Sequence, residues 1–296
     1  MTISVQGYDK FNAFICHHYF KALESPHIYC HFSVIKMSYI FHIDSFWTSS
    51  VMAIQTKTQT KSPTQLGKIK TSIRQQIQSG MMSGGQKLPS ERELSTLFET
   101  TRITIKDALV ALETEGLIYR EERRGWYVSP QRICYNPLSR SHFHQMIRDQ
   151  HRIAETRLLN TRTEMAAGEY AAALNIRQLT PIHIIERLRY IDGRAVLFVE
   201  NCLMTNLFPG ILEENLTLSL TGLFAEKYGY QTQRSRFDVI PTAAPGHVAK
   251  ALNLAEGQSV LKICRVNYKQ DGTLMDCEFE YWRPDAVMIR IDSSAE

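Results

Sequence analysis

The sequence predicts an α+β protein in two parts: an N-terminal winged helix-turn-helix and a C-terminal antiparallel sheet with helices packed on it. Two observations carry this. Residues 88–129, LPSERELSTLFETTRITIKDALVALETEGLIYREERRGWYVS, order a capped helix, a short polar turn, a second amphipathic helix and two β-rich stretches around a basic turn. Residues 173–190, ALNIRQLTPIHIIERLRY, recur at an offset of 78 as residues 251–268, ALNLAEGQSVLKICRVNY. The 296 residues suit about two domains.

Residues 1–51 hold eleven aromatics and five histidines, few charges and no helical or strand period. They read as an atypical extension, and Met52, which opens a polar arm, as a candidate natural start. Cys16, His17, His18, Cys30 and His31 are adjacent rather than spaced for one tetrahedral ion, so no metal is expected. The DNA-binding unit is placed at 52–130. Its first helix runs from about Thr64 to Ser79, with Leu66, Ile69, Ile73 and Ile77 at helical spacing. Ser90 and Glu93 form an S-x-x-E capping box for the next helix. After the polar turn at Glu99-Thr100, a helix from near Thr101 places Ile105, Ala108, Leu109 and Leu112 on one face. Residues 117–120 and 126–129 read as two strands flanking the basic turn Arg123-Arg124-Gly125. Residues 131–150 read as a linker with a turn at Asn136-Pro137. The second domain takes 151–296. Each copy of its repeat reads as a helix end, a strand, an Asp-Gly turn (Asp192-Gly193, Asp271-Gly272) and a second strand.

Composition narrows the function classes. The net charge of +4 is too small to argue for nucleic acid, and residues 61–130 add only 11 basic against 8 acidic side chains. Pattern, not total charge, carries the argument. Cysteines 16, 30, 134, 202, 264 and 277 show no C-x-x-C spacing, so reduced thiols in a cytoplasmic protein are expected rather than disulfides or a zinc ribbon. No apolar run of about 18 residues is present, so no membrane span is expected. Nucleophile elbow, P-loop and H-E-x-x-H are also missing from the sequence, which argues against an enzyme.

Recognition helices present their N-terminal residues to the major groove. Those residues are Thr101, Arg102, Thr104 and Lys106. Arg102 suits guanine O6 and N7, and the two threonines suit phosphate or a thymine methyl. Lys106, Arg92, Arg123 and Arg124 suit phosphates, and Gly125 lets the turn approach the duplex closely.

The segments LPSERELS, TTRITIKDAL, EGLI and RRGWYV resemble the N-terminal domain of GntR-family bacterial regulators. The chain departs from that pattern at Thr101, Lys106 and Trp126; the first two changes keep the chemistry, and no role is assigned to Trp126. Farther on, ERLRYIDGRAVLFVEN, FPGIL, SLTGLFAEKYG, ALNLAEGQ and DCEFEYWRPD resemble the UTRA effector domain of the HutC-like branch, whose fold is chorismate lyase-like. The resemblance implies an anion held against the sheet by Arg187 and Arg189 and by Ser219 and Thr221 at a helix start. Two arginines two apart on a strand share a face, and paired guanidiniums match phosphate or phosphonate oxygens. Asp276, Glu278 and Glu280 alternate along a strand, and Glu200 is a further acid. Such an alternation is either the solvent face of a half-buried sheet or an acidic side for an amine. An anion side and an acid side together describe a zwitterionic effector.

Within the branch, TTRITIKDAL, RRGWYV, RLRYIDGRAV, SLT and EYWRPD resemble the regulators of 2-aminoethylphosphonate utilisation in gamma-proteobacteria. The resemblance implies a cytoplasmic, homodimeric repressor that binds a palindromic operator, needs no cofactor and responds to an aminoalkyl phosphonate. The same fold with an amino-sugar phosphate or urocanate-like effector, and a lyase acting on chorismate, are the alternatives.

Overall fold

A computed structural model describes residues 64–139, 142–177 and 179–292. The expectations for residues 1–51 and Met52, the Cys16–His31 metal ligands included, lie outside them. Among the described residues no helix is long and apolar enough to cross a membrane.

The N-terminal unit is built from α1 (Gln65–Gln78), α2 (Glu91–Leu97), α3 (Arg102–Thr114) and the hairpin β1 (Ile118–Glu121) and β2 (Gly125–Val128). Thr64 caps α1 by accepting from the Gly67 amide at 3.1 Å. The expected capping box closes α2: the Glu93 amide donates to Ser90 Oγ at 3.2 Å, and the Ser90 amide to Glu93 Oε2 at 2.7 Å. Two orphan donors are thereby satisfied reciprocally. The turn into α3 passes through Glu99 at φ +50°. A Schellman motif ends α3, with Gly116 N–H on Glu113 O at 2.8 Å and Leu117 N–H on Leu112 O at 3.1 Å. Gly116 sits at φ +75°, which is why EGLI carries glycine there. Ile69, Ile73, Leu94, Ile105, Leu109, Leu112, Ile118 and Val128 fill one shared core.

The stretch read as a linker holds two elements. β3 (Ile133–Tyr135) pairs in parallel with β10 (Val287–Ile289), and α4 (Phe143–Asp149) buries Phe143, Met146 and Ile147. These apolar residues are too few to show a period in sequence, and their partners lie some 150 residues away.

The C-terminal unit is one antiparallel sheet. Its strands are β4 (Ala154–Met165), β5 (Pro181–Ile191), β6 (Arg194–Met204), β7 (Arg234–Ala243), β8 (Ser259–Tyr268) and β9 (Leu274–Trp282), in the order β4-β5-β6-β9-β8-β7. α5 (Gly168–Ala173) connects β4 to β5 and α7 (Gly246–Ala251) connects β7 to β8, so the sequence repeat becomes two copies meeting at β6 and β9. The two Asp-Gly signals turn differently. Asp192 (φ +49°) and Gly193 (φ +78°) make a two-residue turn of the mirror-image type. The second hairpin uses residues 269–273, with Asp271 accepting from the Thr273 amide and hydroxyl.

The two faces of the sheet differ in chemistry. α5 and α7 cover one face through Ile182, Ile184, Leu188, Phe198, Phe279 and Tyr281. On the other face, α4, β3 and β10 cover Leu197, Val199, Ile263 and Trp282. At the far end of that face α6 (Leu220–Tyr228) packs Phe224 with Phe208 against Ile185 and Leu203. Between these two apolar patches the face carries charge.

Replacing Ser90 by Ala removes the α2 cap and should lower stability by about 1 kcal/mol. Urea denaturation of the two proteins checks this, and an unchanged midpoint would remove the capping box from the account.

Candidate nucleic-acid interface and ligand cavity

The front of α3 is open. Arg102, Ile103 and Lys106 are exposed, and no ion pair engages Arg92, Arg102 or Lys106 among the described residues. Thr101 is partly occupied with structure: its Oγ1 accepts from the Thr104 amide at 3.2 Å and lies 3.0 Å from the Thr104 hydroxyl. Each hydroxyl keeps a lone pair or proton. Ile103, 73% exposed, went unnoticed in the sequence. It sits off the Ile105–Leu109 stripe, and an exposed apolar side chain at that position suits a thymine methyl.

The wing tip is exposed at Arg123 and Arg124, the latter paired with Glu121 at 3.1 Å. Gly125 has φ +109° at the base of the turn. Trp126, left without a role above, points inward. It is buried, and its indole N–H donates to Glu91 Oε1 at 3.0 Å, tying the wing to the first turn of α2. Trp126 therefore orients the wing rather than contacting a duplex.

A cavity of about 370 Å³ opens between the charged face of the sheet, α4 and the start of α6. Arg187 and Arg189 both line it, as strand parity requires. Arg187 is buried; its Nε donates to Asn201 Oδ1 at 2.9 Å and one terminal N–H to Leu218 O at 3.2 Å. Burial, with Arg189 alongside, lowers its pKa to about 9, so it stays protonated at neutral pH. The Arg189 guanidinium lies 4.8 Å from the Phe143 ring, and its buried Nε has no hydrogen-bond partner among the described residues. Ser219 caps α6, accepting from the Gly222 amide at 3.2 Å, and Thr221 lies in the first turn. Ser219 to Gly222, the start of that helix, line the same cavity as the two arginines, and a helix start favours an anion.

The acids are arranged differently from a free carboxylate wall. Glu278 and Glu280 line the cavity but face Arg265, which forms a close ion pair with Glu278 and lies 3.9 Å from Glu280. Glu280 also accepts from Trp282 Nε1 at 2.8 Å. Burial opposes ionisation of Glu278, yet Arg265, Arg189 and Arg187 hold its pKa below the usual value. Burial raises that of Glu280. Asp276 shares the face without lining the cavity; Asn267 Nδ2 donates to it at 3.0 Å, and Ser235 orients Asn267 at 2.7 Å. Burial first, and Glu278 second, push Asp276 up to about 7. The solvent-face alternative for this alternation is excluded, because all three acids are buried.

Glu200 requires a correction. It lies on the opposite face, beneath α5, where Tyr170 Oη donates to it at 3.2 Å and His247 and Arg162 lie 3.6 and 3.9 Å away. The register sets this: Val199 pairs with both Arg187 and Glu280, so Val199 and Asn201 share the cavity face and Glu200 does not. Two residues missed in sequence, Arg265 and Asn267, are the repeat counterparts of Arg187 and Arg189 at the offset of 78. His144 was missed as well. Its pKa is lowered by burial and then by Arg189, Arg148 and Arg187.

Asp276 gives a pH signature. Its folded pKa is raised to about 7 from 3.8, so its contribution to stability is full below about pH 4 and is lost as pH rises through 7. Asp276→Asn should flatten the fall in melting temperature between pH 5 and 8. Equal slopes for variant and parent would show that Asp276 ionises normally.

Known proteins share both halves. Residues 66–128 match the bacterial regulatory proteins of the gntR family, and residues 149–288 match the UTRA domain. The chain is 28% identical over 217 residues to the uncharacterised HTH-type transcriptional regulator YihL of Escherichia coli, covering 73% of this chain and 92% of that one. It is 26% identical over 213 residues to the HTH-type transcriptional repressor NagR of Bacillus subtilis, covering 72% and 88%. The crystal structure of PhnF from Mycobacterium smegmatis shares the fold at a TM-score of 0.54 and 21% identity, covering 77% of this chain and all of that one. With an exposed helix front, a basic wing and a charged cavity in one chain, the protein is a transcriptional regulator of GntR/UTRA type, its N-terminal unit matching the gntR family and its C-terminal unit the UTRA domain.

Proposed function

We propose that this regulator is a cytoplasmic homodimeric repressor, released from a palindromic operator by a small zwitterionic anion of the aminoalkyl phosphonate class, and that it controls genes for phosphonate uptake and degradation. One observation carries the effector chemistry: Arg187, Arg189 and the first turn of α6 line one cavity. Guanidinium pairs and free helix amides match the oxygens of a phosphonate. Glu280, on the cavity wall with its pKa raised by burial, is the acid able to meet an amine, since an added cation would draw it into the charged form. Arg102, Thr101, Thr104 and Lys106 read the operator, while Arg92 and the Arg123–Gly125 wing hold the backbone.

A sugar phosphate is the second reading. A cavity of about 370 Å³ is roomier than 2-aminoethylphosphonate fills, and the rings of Tyr230 and Trp282 on its wall suit a sugar.

Fluorescence anisotropy of the chain's own upstream DNA, with and without 2-aminoethylphosphonate, tests the proposal. Release at micromolar effector is expected in the parent, and Arg187→Ala should raise the concentration required at least tenfold, the loss of one charge-assisted contact. Release by an amino-sugar phosphate instead, with 2-aminoethylphosphonate inert, would select the second reading.

Arg102→Ala should weaken operator binding by about 1–3 kcal/mol and relax preference at one base pair. Equal weakening on every sequence in a competition assay would place Arg102 on phosphate.

A further inference from the structure

The wing root is docked on the UTRA domain, and one side chain explains how. In β1, Ile118 faces the core of the N-terminal unit, so the next residue, Tyr119, faces away from it. On an isolated winged domain that ring would meet water, yet Tyr119 is only 4% exposed. Tyr127 stacks on it at 5.4 Å, and two guanidiniums of the UTRA domain approach it: Arg194 at 3.5 Å from the ring centre and Arg283 at 5.1 Å. Arg283 is buried and reaches in two directions. One terminal N–H donates to Leu252 O at 2.9 Å, and the other to Arg120 O in the wing at 3.2 Å. Asp285 joins the two arginines, pairing closely with Arg194 and at 3.3 Å with Arg283. Around this centre the Glu122 amide donates to Asn253 O at 3.2 Å and Gln258 Nε2 to Glu113 Oε1 at 3.0 Å.

The other end of the same backbone is the cavity wall. Trp282 lines the cavity and holds Glu280, and Arg283 is the next residue, fixed by its amide on Val196 O at 2.9 Å. A shift of the Trp282 wall therefore has one residue to travel before it displaces the guanidinium that holds the wing. Arg194 opens β6, the strand that carries Val199 and Asn201 on the cavity face.

We propose that Tyr119 and Arg283 are positioning residues: their contact sets the orientation of the wing on the UTRA domain and reports the state of the Glu280–Trp282 wall to it. The inference builds on the cavity being the effector site, but its test uses no effector, so it stands or falls separately from the effector's identity. An effector changes operator affinity only to the extent that it binds differently to two arrangements of the domains. A contact that cavity and wing share is where such arrangements would differ.

Hydrogen exchange of the full chain, free of effector, decides this. In Tyr119→Ala and Arg283→Ala, exchange at residues 119–122 should speed up about tenfold or more, while the amides of Leu109 and Phe279 in the two cores keep their protection. Tyr119→Phe keeps the ring and should behave as the parent, whereas Arg283→Lys, unable to reach both carbonyls, should not. Glu280→Gln, which alters only the cavity wall, should change exchange at Glu122. Should Tyr119→Ala not fold, Arg194→Met gives the same reading from the other side of the ring. Unchanged protection at 119–122 in these variants, a loss spread evenly over both cores, or an effect of Glu280→Gln confined to the cavity would each overturn the proposal.

Discussion

The structure depends on a patch of buried charge held in the middle of one sheet face. Arg187, Arg189 and Arg265 project from β5 and β8, with Glu278 and Glu280 between them on β9. Removing ions from water costs several kcal/mol each, and an ion pair repays this only when its geometry and hydrogen bonds are good. The arginines serve unequally: Arg265 is ion-paired with Glu278, whereas Arg187 and Arg189 form no ion pair among the described residues. The arginines thus hold Glu278 toward its charged form, while Arg187 and Arg189 line the cavity.

That arrangement requires the rest of the sheet to be rigid, and the duplicated topology supplies rigidity. Two β-α-β-β units meet at β6 and β9, where Leu197, Val199, Asn201 and Leu203 pair with β9 in unbroken register. One face is closed by α5 and α7 over a large apolar cluster, so the charged face is supported from behind by Phe198, Phe279 and Tyr281. Apolar patches at both ends, around Trp282 and around Phe208, keep the cavity walls in place. The polar middle is bordered by packed side chains, and its rotamers have little freedom.

The DNA-binding half follows the opposite logic. Its core is apolar apart from Ser72 and Gln76 of α1, and Arg92, Arg102, Lys106, Arg123 and Arg124 are exposed. Trp126 is the exception. By donating to Glu91 it couples wing and helix inside that half, as Tyr119 couples the wing to the other half.

Local rules made much of this legible. Capping by Ser90 and Glu93 and the primed turn at Asp192-Gly193 involve residues within a few positions of one another, so the sequence alone determined them, as it did the helix-turn-helix-wing order and the repeat. The shared face of Arg187 and Arg189 is also a local matter of strand parity. What tertiary structure decided was which strand lies beside which. Only the β6–β9 pairing shows that Glu200 faces the α5 side, and only the β8–β9 pairing shows that Arg265 occupies the acids. The β3–β10 pairing likewise turned a presumed linker into part of the fold. Side-chain parity along one strand is fixed by covalent geometry. Facing between strands is fixed by register between distant segments, and no single segment contains that information.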